Sequence, residues 1–322
     1  MSVRLSRLAL FALVLSRPAH AAESTAPKPP RPPAPGAIPT IEATETAERG
    51  RWATAAATGG LYVGLATYLT LAWWSESQPA AWHIQREGWF GKSSYAGGAD
   101  KLGHGWINYM LVRGVSGMLT YGGWDERGSL MTAAGLSIGF WTASEIKDGY
   151  YGNYGFSYED MVFNTAGAAL GVAFEMWPEL DRRFDFRVAY LPSAAFLDAL
   201  AEHGPLNVPE DYTGQTYLLC YHLGSIQPMM ENPWLSWGKY LDVSAGYQAV
   251  HYKPIPEDPD AVQREQSLFL GLSLNLQPLL DGATSGGGRF LRFTTEVLQA
   301  PYTTLRLAGV DRSPDPAPMP AP

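Results

Sequence analysis

The chain has 322 residues, enough for one large domain or two modest ones with a sizeable core. Charged residues are only 17% and aromatic residues 12%, a balance that suits a membrane or envelope protein. The net charge of −8 argues against a nucleic-acid binder, and the single cysteine, Cys220, excludes a disulfide framework and a Cys-rich zinc site.

The chain opens with Arg4 and Arg7, an apolar run from Leu8 to Leu15, and the small-x-small pattern Ala19-His20-Ala21. That order predicts a secretory signal peptide over residues 1–21, with the mature chain starting at Ala22. No cysteine follows the apolar run, so no lipid anchor is expected there. Residues 22–43 are proline-rich and predict an extended tether.

Residues 44–178 predict a helical domain with four segments, Thr54–Trp74, Asp100–Tyr121, Ser129–Ser144 and Ser157–Trp177. Short links such as 122–128 make neighbouring helices antiparallel, so an up-and-down bundle is expected. Gly167, Ala168, Ala169 and Gly171 allow close helix approach. Arg113, near the middle of the second segment, must face a polar interior if the helices span a bilayer. Spanning helices and a periplasmic bundle lying against a membrane both fit this pattern.

Residues 179–237 read as a mixed, proline-interrupted connection with one short helix at Ala194–His203. Residues 238–310 predict a small antiparallel β region. Alternation appears from Tyr240, over Leu268–Leu276, over Arg289–Leu298 after a glycine-rich hairpin turn at Ser285–Gly288, and over Tyr302–Leu307. Such strands bury one face, and they are too few for a closed outer-membrane barrel. A sheet resting on the bundle or on lipid is expected, and residues 311–322 read as a disordered tail. The fold class is therefore α+β, a bundle of about four apolar helices followed by a small antiparallel β region.

The candidate chemistry lies at helix ends. Asp100 and His104 share a face at the start of the second helix, with Lys101 beside them. Glu145 and Asp148 close the third helix, and Ser157, Asp160 and Asn164 open the fourth. In an up-and-down bundle these three ends coincide, so residues about 60 positions apart converge on one site. The bland explanations are that Asp100 is an N-cap, that Ser157-x-x-Asp160 is a capping box and that His104 is a structural histidine. Capping does not explain Glu145 and Asp148, whose charge opposes the helix dipole. The cluster is structural, or a ligand site, or a divalent metal site. No cofactor is expected, and a metal is the minor alternative. Nucleophile-elbow, Walker and zincin motifs are absent from the sequence.

These residues carry a family resemblance. Asp100-Lys101-x-x-His104, Glu145-Ile146-x-Asp148-Gly149 and Gly155-Phe156-Ser157-x-x-Asp160-x-x-x-Asn164-x-x-Gly167 resemble the YfiM-type predicted periplasmic lipoproteins, a domain of unknown function. Asp211-Tyr212-x-Gly214-Gln215-Thr216-Tyr217 is similar to a segment of its longer members. More distantly, the motif order resembles VanZ-like four-helix membrane proteins. The resemblance covers about residues 80–225, with Gly105 where the family has an aromatic residue. It implies a fold more than a reaction. A non-catalytic, exported cell-envelope protein is expected, at the inner membrane or the periplasmic face of the outer membrane, binding lipid or an envelope partner and no nucleic acid. The alternative is an enzyme using the Asp/His/Glu cluster on an envelope lipid or glycan precursor.

Overall fold

The computed structural model describes residues 41–75, 77–203, 208–254, 263–281 and 285–313. The expected signal peptide, all but the end of the proline-rich tether, and nearly all of the expected tail lie outside them. The fold is α+β, with eight α-helices and a six-stranded mixed sheet among the described residues.

Helix α1 spans Ile41–Leu69 and continues through a π-turn at Thr70–Trp74, so it starts earlier than the apolar run alone suggests. Helices α2 (Ala99–Tyr121), α3 (Glu126–Asp148) and α4 (Tyr158–Met176) follow. These three pack on one another. The expected four-helix bundle is thus a three-helix layer with α1 along one side, touching it through Tyr62, Leu65, Leu69 and Trp74. At the two ends Arg51 Nε donates to Gly123 O at 2.9 Å and Trp74 Nε1 donates to Asp148 Oδ1 at 2.5 Å.

Two glycines fix how α2 sits. Gly98 is left-handed (φ 86°) at its N-cap, and no side chain caps the helix there. Asp100 is therefore not the expected N-cap; it is the second residue of the first turn, and its carboxylate pairs with Lys101 and Tyr212 instead. Gly167 meets Gly105, and a Cβ on Gly167 would lie 2.0 Å from Gly105 O. The close approach therefore requires glycine at 167; a Cβ on Gly105 would meet only Phe163 at 3.6 Å and Phe186 at 4.0 Å, and the helix contact does not explain the glycine there. Arg113 does face a polar interior, pairing with Glu175 (3.2 Å), Asp181 (2.5 Å) and Glu296 (3.0 Å).

After α5 (Pro178–Asp181) the chain forms β1 (Phe184–Tyr190), α6 (Ala194–His203), β2 (Gln215–His222), α7 (Gln227–Glu231), β3 (Leu241–Val250) and β4 (Glu265–Leu274). Then come α8 (Gly286–Val297), β5 (Leu298–Gln299) and β6 (Thr304–Arg312). Helix α6 has the bounds expected from sequence. The strand order is β5-β1-β2-β3-β4-β6, antiparallel except for the β1–β5 pair.

The sheet corrects several expectations. Its strands β1 and β2 come from the region read as a connection, because buried Asp185, Arg187, Gln215 and His222 interrupt the apolar alternation carried by Val188, Tyr217, Leu218 and Cys220. It is mixed rather than purely antiparallel. The expected strand Arg289–Leu298 is helical up to Val297, since Phe293 and Val297 pack one turn apart beneath α2 while Arg292 and Glu296 pair along the helix. The supposed hairpin turn at Ser285 is its cap, Ser285 Oγ accepting from Gly288 N at 3.0 Å. Strand β6 also runs on into the expected tail, to Arg312.

The largest inversion concerns which face is buried. Val243, Leu268, Leu270 and Leu274 are exposed, whereas Asp242, Ser244, Gln266 and Ser273 are buried. Inside the sheet Arg187 pairs with Asp185 (2.5 Å) and Asp242 (2.9 Å), and donates to Gln299 Oε1 at 2.9 Å. His222 lies 3.2 Å from Asp185 and 2.8 Å from Asp242, with Asn275 at 3.0 Å. Burial works against a charged His222, but the two carboxylates outweigh it and raise its pKa to about 9. Mutual satisfaction of these charges is what lets a sheet keep its polar face inside.

Candidate functional site

All eight polar residues singled out in the sequence gather at one end of α2, α3 and α4. Lys101 is fully buried, and its Nζ lies 2.9 Å from Asp100 Oδ2 and 2.5 Å from Asp160 Oδ1, with Glu87 Oε2 as a third partner. His104 Nε2 is 3.6 Å from Asp100 Oδ1 and 3.8 Å from Asp160 Oδ2. Its Nδ1 is 3.9 Å from Glu145 Oε1. Each aspartate therefore gives one oxygen to the lysine and turns the other toward the same histidine nitrogen.

Capping explains less of this than expected. Ser157 does cap α4, its Oγ accepting from Asp160 N at 3.2 Å. The return bond of a capping box comes from elsewhere: Ser157 N donates to Glu145 Oε2 at 3.3 Å. This gives Glu145 a role at its helix end and leaves the Asp160 carboxylate outside any cap. Asp148 accepts from the indole of Trp74.

Asn164 sets the histidine. Asn108 Nδ2 donates to His104 O at 3.0 Å and to Asn164 Oδ1 at 2.6 Å. A carbonyl only accepts, so Asn108 presents its amide donor, and Asn164 must present its oxygen. Ser137 Oγ donates to Asn108 Oδ1 at 2.7 Å and holds that orientation. His104 Nδ1 lies 3.0 Å from the same Asn164 oxygen, so Nδ1 carries the proton. In the neutral ring, Nε2 then presents a lone pair toward the two aspartates.

Glu87, Asp100, His104, Glu145, Asp148 and Asp160 line a cavity of about 60 Å³ that Trp73, Trp141 and Tyr212 help to close. Acid outweighs base there. Burial, reinforced by neighbouring carboxylates, raises the Glu87 pKa to about 8 and that of Asp160 to about 7. Burial raises Asp148 to about 6, and lifts Glu145 well above the usual carboxylate range. Asp100 goes the other way. Burial opposes its ionisation, but His104, Lys101 and the Tyr212 hydroxyl at 2.5 Å outweigh it. Such a site can store protons or hold a cation.

Several contributors escaped the sequence reading. Glu87 sits in an irregular link with no spacing signal. Asn108 was findable as the i+4 partner of His104. Tyr212 belongs to the later motif, whose tie to Asp100 only the folded sheet reveals.

Residues 86–176 match the family model described as a predicted periplasmic lipoprotein (DUF2279). The matched segment holds all eight candidate residues and Glu87, and it supports an exported cell-envelope setting for a domain of unknown function. No curated protein and no solved structure matches the chain.

Proposed function

We propose that the chain is a non-catalytic protein of the cell envelope that attaches to membrane lipid through the outer side of its helical layer. The supporting observation is where charge is missing. Residues 52–74, 129–144 and 161–174 contain no charged side chain. Yet Trp52, Val63 and Leu71 on α1, Met131 and Leu136 on α3, and Val162 on α4 are all exposed. A helix face turned to water normally carries charge, and contiguous apolar surface marks an interaction site. Among the described residues, Ala47–Trp74 is the one helix long and apolar enough to cross a membrane, and only 11% of its most apolar window is buried. It is therefore not a core helix. Exposed Val243 of β3 and the exposed leucines of β4 and β6 extend the same logic to the sheet, where Asp185, Arg187 and Asp242 are buried.

The size of the polar cavity favours a non-catalytic role over chemistry on a lipid or glycan precursor. Organic ligands occupy sites of about 300–1,000 Å³, far above its 60 Å³. Fractionation of host membranes tests the reading. The protein should pellet with membranes and stay there after a carbonate wash. Recovery in the soluble fraction before any wash would contradict it.

A further inference from the structure

We propose that Asp100, His104 and Asp160 form a divalent-cation site of the zinc class. Three acceptor atoms converge there: Asp100 Oδ1, Asp160 Oδ2 and His104 Nε2, with one ligand atom from each residue inside a 4.8 Å span. The His104 contacts, at 3.6 and 3.8 Å, are too long for charge-assisted hydrogen bonds of about 2.7–2.9 Å. They lie near the separation of about 3.3 Å between ligands on a tetrahedral ion with bonds of about 2.0–2.1 Å. The set closes when these atoms, which lie within 4.8 Å of one another, draw in to that separation.

The surroundings fit a ligand histidine. Asn164 takes the Nδ1 proton, which leaves Nε2 free to bind and fixes the plane of the ring. This is the arrangement by which an outer carbonyl orients a metal-bound imidazole. Lys101 fixes both aspartates through their other oxygens, so the ligand carboxylates are held before any ion arrives. With the ring neutral, Nε2 and the two carboxylate oxygens are three acceptors facing one another; either a proton on Nε2 or a bound cation answers them, and the cation takes the proton's place.

A separate observation points to something inside the cavity. Trp141 lines it, is 7% exposed, and stacks edge-on against His104 at 5.7 Å. Its indole N–H has no hydrogen-bond partner among the described residues. A buried donor left unpaired calls for a bound acceptor. A water on the fourth position of the ion supplies one, and the cavity has room for it.

The test uses the untagged full-length chain in detergent, stripped with a chelator and then equilibrated with Zn²⁺ alone. One ion per chain is expected, and Co²⁺ in its place should give the visible absorption of a tetrahedral site. His104→Gln and Asp160→Asn should abolish stoichiometric binding, while His251→Gln keeps it. Asn164→Leu should weaken binding about 10–100-fold, and Asn164→Asp, which keeps the acceptor, should restore it. Absence of stoichiometric zinc in the wild-type chain overturns the proposal without any variant. So does binding that survives His104→Gln.

Discussion

At the scale of single residues, the polar interior rests on charges that satisfy one another. His222 makes this measurable. Its folded pKa of about 9 stands above the ordinary 6.5, so the folded state holds a proton that the unfolded chain releases. The stability it contributes is full below about pH 6.5 and disappears as pH rises through about 9. Denaturant unfolding in detergent should show a loss across that window about 3 kcal/mol larger in the wild type than in His222→Gln, which keeps only the smaller slope of the buried acids Glu87 and Asp160. An equal slope in the variant would remove His222 from the account. The helix-end cluster was legible because i,i+3 and i,i+4 spacings survive in sequence and topology brings the ends together. His222 was not, since its partners Asp185, Asp242 and Asn275 come from three other parts of the chain.

At the scale of elements, the site depends on how closely α2 and α4 approach. Gly105 and Gly167 set that distance, and His104 and Asn164 stand beside them. Gly167→Ala would force a methyl to within 2.0 Å of Gly105 O, so the helices must part. Overpacking of this kind costs about 1–3 kcal/mol. Thermal unfolding should register that loss, whereas Gly139→Ala, with open space at its Cβ, should be tolerated. Equal stability of the two variants would mean that the contact does not position the helices. The helices themselves were readable from their apolar runs and short links. The sheet was half readable: alternation located β3 and β4 and showed that one face is buried, but it did not say that the polar face of β3 and β4 is the one inside. It also mistook α8 for a strand, because a short run of arginines, phenylalanines and threonines satisfies both periods.

At the scale of the whole molecule, charge lies inside and aliphatic surface outside, in the helical layer and in the sheet alike. Low charge and abundant aromatics suggested an envelope protein from composition alone. Which surfaces lack charge became visible only once burial was known, because exposed Val63 and buried Leu69 look alike in sequence. In the proposed function these bare faces meet lipid. Single cysteines at Val63, Leu136 and Val162 in native membranes, treated with a water-soluble maleimide, test it most directly, with Glu179→Cys as the exposed control and Cys220 buried and silent. The three sites are expected to be protected in membranes and labelled after detergent extraction, while Glu179→Cys is labelled in both. Labelling of Val63→Cys, Leu136→Cys and Val162→Cys in intact membranes as fast as the control would contradict it.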